Sequence, residues 1–127
     1  MWVRTATVGE LPDVMNAVDG AVLSADAGTV RERIREGGVL VALSDDGERV
    51  LGALVLGGDH IEAVAVRRRR RGQGIGTALV EAAADRRPRL TAEFDADLRP
   101  FYERLDFDID PAEDAGRLRG ERGYSNN

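Results

Sequence analysis

The run Arg71-Gly72-Gln73-Gly74-Ile75-Gly76 follows directly on an apolar, strand-like stretch from Ile61 to Val66. Beyond its alternating glycines, Ile75, Ala78, Leu79, Ala82 and Ala83 recur at helical spacing. Glycines at such a junction remove side chains, so backbone N–H groups can close on a ligand. The same N–H groups sit at the positive end of a helix, where anions are stabilised. A strand feeding a glycine loop feeding a helix is therefore a diphosphate-binding device. A tight strand-to-helix turn without a ligand is the plainer reading of the same residues.

Spacing sorts the diphosphate loops. A Walker A loop ends in Gly-Lys-Ser/Thr, and this chain has no lysine. A dinucleotide fingerprint needs G-x-G-x-x-G, but its last position here is Thr77. Arg71, Gly74 and Gly76 fit Arg/Gln-x-x-Gly-x-Gly/Ala instead, with Val64-Ala65-Val66 before and Thr77-Ala78-Leu79 after. This segment resembles the pyrophosphate loop of the GNAT superfamily of acetyl-CoA-dependent N-acetyltransferases. Asp95 to Phe107, containing Phe101-Tyr102-Glu103-Arg104-Leu105-Asp106-Phe107, is similar to that family's later Phe-Tyr-Glu-x-Leu-Gly-Phe motif. Two motifs in the right order are more specific than either alone.

The resemblance implies an α/β (α+β) fold of the GNAT type, a mixed, mostly antiparallel sheet flanked by helices. It implies acetyl-CoA as co-substrate, with no metal. Val64, Ala65 and Val66 would hold the pantetheine arm through backbone, as an added strand does. Arg71, Gly72, Gln73, Gly74, Ile75, Gly76 and Thr77 would hold the pyrophosphate. Asp95 stands where the family commonly has Asn, and a carboxylate there loses the amide donor. Asp106 stands where the family commonly has Gly, and Asp accepts a left-handed turn at some cost.

Acetyl transfer to an amine needs a proton acceptor, an N–H donor for the oxyanion and a stabiliser for the departing thiolate. The resemblance places the family's general-acid tyrosine at Tyr102; by position alone it is a core residue on an apolar helix face. His60 and Glu62 are the candidate bases. Strand alternation puts both on one face with Val64, and burial in the apolar run would raise the Glu62 pKa. An exposed edge residue and a turn residue are the plainer readings of the two. The amine can also arrive neutral or lose its proton through water.

A chain of 127 residues with 43% hydrophobic content suits one domain. It lacks cysteine, which excludes disulfides and thiolate chemistry, and shows neither a membrane-length apolar run nor a signal-peptide pattern. A cytoplasmic protein is expected. The net charge is −5, yet five of the 18 basic residues are consecutive, Arg67 to Arg71. Acidic surroundings argue against nucleic acid as partner. Either the run attracts a compact polyanion, or Arg67 to Arg70 are a solvated connection and Arg71 alone touches ligand.

The predicted order is β-α-α-β-β-β-α-β-α-β. Leu11, Met15, Val18 and Val22 form one helix face, Thr29 and Glu32 a capping box, and Asp97 the cap of the helix bearing Tyr102. Arg117 to Arg122 is a candidate last strand, and a frayed tail is expected from about residue 121. The expected partner is a primary amine, with no membrane and a homodimer left open. A non-catalytic acyl-CoA-binding domain is the alternative function.

Overall fold

The computed structural model describes residues 1–18, 26–113 and 116–123. Its elements run β1 (Trp2–Thr5), α1 (Leu11–Val18), α2 (Ala27–Arg35), β2 (Val39–Leu43), β3 (Val50–Gly57), β4 (His60–Val66), α3 (Ile75–Arg86), β5 (Arg89–Asp95), α4 (Arg99–Arg104), β6 (Asp108–Pro111) and β7 (Arg117–Gly123). The strands form one sheet in the order β1-β2-β3-β4-β5-β7-β6. Every pairing is antiparallel except that of β4 with β5. This is the mixed α/β sheet expected from the sequence.

β2 and β3 are apolar almost throughout and are buried along nearly their whole length, because helices cover both of their faces. On one face, Val14 and Val18 of α1 and Val30 and Ile34 of α2 pack on Val39, Val41, Val55 and Ala65. On the other, Ile75, Leu79, Val80 and Ala83 of α3 pack with Leu40, Leu54, Leu90, Phe94 and Tyr102. The first cluster takes no residue from β5, β6 or β7. That face of the sheet's C-terminal half carries Arg89, Glu93, Asp95, Asp108, Asp110 and Arg119, all exposed.

α3 lies close to β3 because Gly52 has no side chain. A Cβ there would stand 2.7 Å from the Ala65 carbonyl oxygen and 3.2 Å from Ile75 Cγ2.

Several local expectations are corrected. Asp26, not Thr29, caps α2: its Oδ1 accepts from the Thr29 N–H at 2.8 Å. Both residues carry capping chemistry, and the helix starts earlier. The reciprocal Thr/Glu pairing occurs instead at Thr7 and Glu10, ahead of α1. There Arg4 donates to both oxygens of Glu10, holding its carboxyl down at about 2. α1 buries Leu11, Val14, Ala17 and Val18, while Val22 lies outside the described residues. Asp97 makes no capping hydrogen bond, because a 3-10 turn (Ala96–Leu98) intervenes before α4. Glu121, Arg122 and Gly123 are not frayed; they pair with Thr91, Leu90 and Arg89. The remaining tail residues, 124–127, lie outside the described residues.

Gly52→Ala should lower the unfolding free energy by about 2–3 kcal/mol, read from the urea midpoint. An unchanged midpoint would show that α3 can retreat from β3 at no cost.

Candidate functional site

β4 and β5 are paired only at His60 with Thr91 and Ile61 with Ala92. Beyond those two pairs the strands part, and the later residues of β4 have no strand partner on that side among the described residues. On the opposite edge, the Arg67 N–H donates to the Leu51 carbonyl at 2.8 Å. Antiparallel hydrogen bonding alternates, and Ala65 pairs with Ala53 in the same register. Ala65 and Ala63 therefore bond to β3, whereas Val64 and Val66 turn their N–H and C=O groups into the gap. Ala65 contributes its side chain to the α1 side of the sheet.

The gap ends at the glycine loop. Gly72 has φ 80° and Gly74 φ 83°, both left-handed, and an added Cβ at either would meet nothing within 4 Å. Both glycines thus present bare backbone to open space. Gly74 is the N-cap of α3 and offers no side chain to it. The first intrahelical bond runs from the Ala78 N–H to the Gly74 carbonyl, so the N–H groups of Ile75, Gly76 and Thr77 have no acceptor within the helix. Ile75 is anchored in the core, and Gln73 and Thr77 are exposed. Gly76 serves packing: its absent side chain lets the Phe101 ring approach to 3.4 Å of the Cβ position. Open N–H groups at a helix N-terminus beside an unpaired strand edge fit a pantetheine diphosphate. Arg71 closes the loop by donating from Nε to the Val66 carbonyl at 3.2 Å.

Tyr102 is buried on α4 among three rings. It stacks on Phe94 with centroids 4.0 Å apart and meets Phe101 and Phe107 edge-on at 5.0 and 5.1 Å. Burial pushes its phenol up to about 12. Among the described residues no group hydrogen-bonds to its hydroxyl, and no buried polar atom lacks a partner. The hydroxyl therefore reaches the surface while the ring stays in the core. The cluster leans on Gly120, where a Cβ would stand 3.1 Å from both Phe94 and Phe107.

The end of α4 fixes that cluster. Asp106 takes φ 65°, the only positive φ outside glycine among the described residues. The Phe107 N–H bonds to the Tyr102 carbonyl and the Asp106 N–H to the Glu103 carbonyl. These are the two bonds of a Schellman stop, and the accompanying apolar contact is Phe107 on Tyr102.

The candidate bases lie elsewhere. The ladder between β3 and β4 shifts register, with Val55 opposite Ala63 but Leu56 opposite Ile61. Glu62 is the extra residue of this bulge. The bulge breaks strand alternation, so the Val64 side chain packs against the α3 side while Glu62 reaches α2 on the opposite face. The expectation that His60, Glu62 and Val64 share a face is thus corrected. Glu62 is not buried in its apolar run either. Both its oxygens are held by Arg33, Nε to Oε1 and Nη2 to Oε2, each at 2.9 Å. His60 is exposed at the far end of β4, its Nδ1 2.8 Å from Thr91 Oγ1, about 13 Å along the strand from Val64.

Asp95, at the end of β5, is exposed and lies 3.6 Å from Arg117 Nη1. In the arginine run, Arg67 is tied to the Val50 carbonyl, whereas Arg68, Arg69 and Arg70 form a 3-10 turn. Arg33 and Phe94 were not singled out from the sequence. Phe94 was open to discovery, because it continues the inward alternation of Leu90 and Ala92. Arg33 had no local signal, since its partner lies 29 positions away.

A family profile described as Acetyltransferase (GNAT) domain matches residues 35–109. No curated protein sequence matches the chain. Among solved structures, Rv2747 from Mycobacterium tuberculosis, in complex with CoA and NLQ, superposes with a TM-score of 0.79 at 21% identity, covering 98% of this chain and 99% of that one. A GNAT-family acetyltransferase from Bacillus cereus gives 0.74 at 13% identity over 94% and 93%. Drosophila melanogaster polyamine N-acetyltransferase, which catalyses the formation of N-acetylagmatine, gives 0.76 at 14% identity over 97% and 99%.

Asp106→Gly should stabilise the protein by about 0.5–1 kcal/mol, since glycine takes the left-handed stop without strain. Thermal denaturation with unchanged near-ultraviolet circular dichroism of the aromatic cluster is the check; a destabilised variant would mean that the Asp106 side chain itself holds the turn.

Proposed function

The chain belongs to the GNAT acetyltransferase family, and we propose that it moves an acetyl group from acetyl-CoA to a primary amine by direct attack within a ternary complex. The observation that carries this reading is the unpaired edge of β4 at Val64 and Val66, running straight into the bare amides of Gly72 to Thr77. Fold similarity to a polyamine N-acetyltransferase supports an amine acceptor.

Acetyl-CoA supplies the electrophilic carbonyl and a thiolate leaving group. The Val64 and Val66 edge orients the pantetheine arm as an added strand, and an N–H of this segment donates to the carbonyl oxygen as it gains charge. The open amides at the start of α3 receive the paired phosphates. Tyr102 serves the leaving group. A phenol at about 12 stays protonated throughout the working range. It does not surrender its proton outright to a thiolate of roughly 8.5; it stabilises that thiolate by donating a hydrogen bond.

Glu62 is poorly suited to take the amine's proton while Arg33 occupies both of its oxygens. With both oxygens already accepting from the guanidinium, neither is open to an incoming ammonium. We assign the pair to holding the β4 bulge. His60, a strand's length from the loop, reaches the amine only through intervening water.

Gly74→Ala should weaken acetyl-CoA binding at least tenfold in calorimetry, because its methyl enters the open side of the loop at a strained φ. Tyr102→Phe should keep that affinity and lower kcat by about 10- to 100-fold. Full activity in Tyr102→Phe would remove the tyrosine from the mechanism. Binding without thiol release on any amine would favour the non-catalytic alternative.

Arg33→Gln and Glu62→Gln should act alike, each costing about 0.5–1 kcal/mol of stability and leaving the shape of the pH–rate profile unchanged. Loss of an ionisation from the profile in Glu62→Gln alone would restore Glu62 as the base.

A further inference from the structure

Beside the point where β4 and β5 part, on the face away from Tyr102, lies a cavity of about 370 Å³ lined by Glu93, Pro111, Ala112, Glu113 and Arg119. Its volume falls at the small end for small-molecule sites, roughly 300–1,000 Å³. Glu93 directly follows Ala92, the last residue of β5 paired with β4, so it stands at the mouth of the gap. It alternates with Ala92 and Phe94, which enter the core on the α3 side, and its own side chain therefore projects from the other face. Arg119 is its cross-strand partner on β7, one strand further from the gap, at about 5 Å. Asp110 of β6 pairs in register with Arg119 from the far side.

The charges of this cavity are uncommitted. Of the other charged residues of the face, Arg89 is engaged with Glu121 and Arg117 with Asp95, while Asp108 and Asp110, on β6 at the sheet's edge, make no ion pair among the described residues. Among the described residues, neither Glu93, Glu113 nor Arg119 makes an ion pair. Across the gap Glu62 is neutralised by Arg33, which leaves Glu93 as the carboxylate at the mouth that is free to receive a cation.

We infer that this cavity is the acceptor subsite, and that it selects small zwitterionic amines of the α-amino-acid type. The inference rests on the acetyl-transfer reading above. Glu93, nearest the gap, accepts hydrogen bonds from the acceptor's ammonium and takes one of its protons, which frees the nitrogen lone pair to attack the thioester carbonyl. The new bond is N–C, the bond broken is C–S, the electron pair leaves on sulfur, and the second proton of nitrogen passes through solvent to that thiolate as the amide forms. Arg119, one strand further out, receives the acceptor's carboxylate in a two-pronged contact. A simple alkylamine satisfies Glu93 and leaves Arg119 without a partner. A diamine sets its second ammonium against the guanidinium. The order of the two groups, anion at the gap and cation behind it, therefore matches a zwitterion whose nitrogen leads.

The test compares leucine, alanine and glycine with 3-methylbutylamine, ethylamine and methylamine, the same amines without the carboxylate. Thiol release gives kcat/KM, and calorimetry gives binding to the CoA-loaded protein. Wild type should favour the amino acids at least tenfold. Arg119→Gln should erase that preference, raising KM for leucine while leaving the alkylamines within about twofold. Glu93→Gln should lower kcat/KM for both classes by about 10- to 100-fold and remove an ionisation from the pH profile. A preference that is absent in wild type, or that survives Arg119→Gln, overturns the inference even though acetylation of the alkylamines upholds the activity. Leucine binding that depends on Arg119 with no thiol release upholds the subsite and overturns the acetyl-transfer reading. Neither binding nor release overturns both.

Discussion

Two residue pairs hold β4 to β5, and the rest of the molecule is arranged around the fact that there is no third. A parallel pair that parts leaves backbone donors and acceptors bare, and bare backbone inside a protein is costly unless something hydrogen-bonds to it. The cost is met differently at the two edges. At the loop end of β4, Arg71 folds back to the Val66 carbonyl. Along the edge itself both groups of Val64 and the N–H of Val66 stay open, and this is tolerable only because the gap admits solvent or ligand. The β4 bulge contributes to the same end. The extra residue, Glu62, re-aims the strand beyond it, and Arg33 and Gly57 hold that residue in place. A Cβ at Gly57 would collide with the Glu62 carboxylate at 2.2 Å.

The aromatic cluster supplies rigidity on the other wall of the gap. Tyr102 is positioned by a helix that ends at Arg104, in a turn whose bonds return to the Tyr102 carbonyl itself. The residue that carries the hydroxyl therefore also anchors the helix stop. The missing side chain of Gly120 lets Phe94 and Phe107 settle beneath the ring. A phenol held by stacking alone, without a hydrogen bond from a described residue, keeps its donor available for a ligand.

The parts legible in the sequence are those whose cause is local. The strand, loop and helix from Ile61 to Arg86 announce themselves through apolar spacing and glycine, and Asp106 stands where a left-handed stop was expected. The parts that were not legible depend on distant pairing. Whether Val64 faces with Glu62 is decided by a register shift opposite Val55 and Leu56, and alternation read along one strand cannot reveal it. The bidentate hold of Arg33 on Glu62 joins α2 to β4. β7, which reads as a short polar segment, becomes an interior strand because β5 and β6 both pair with it. Among caps, Asp26 and Thr29 offered the same chemistry, and only the observed start of α2 separates them.

The arginine run divides in a way that neither sequence reading anticipated. Arg67 and Arg71, at its ends, turn to the carbonyls of Val50 and Val66 and secure the chain on either side of the bend. Arg68, Arg69 and Arg70 occupy a single 3-10 turn. Three successive residues of such a turn point in three directions, so they cannot all grasp one phosphate. Their effect on an anion at the loop is therefore chiefly a shared field. In a chain of net charge −5, that field marks the approach to the α3 N-terminus as the positive region. A field of this kind fades over roughly 8 Å at physiological salt, whereas hydrogen bonds from the bare amides of the loop do not. Salt should thus slow the capture of a polyanion more than it loosens the hold once the phosphates are seated.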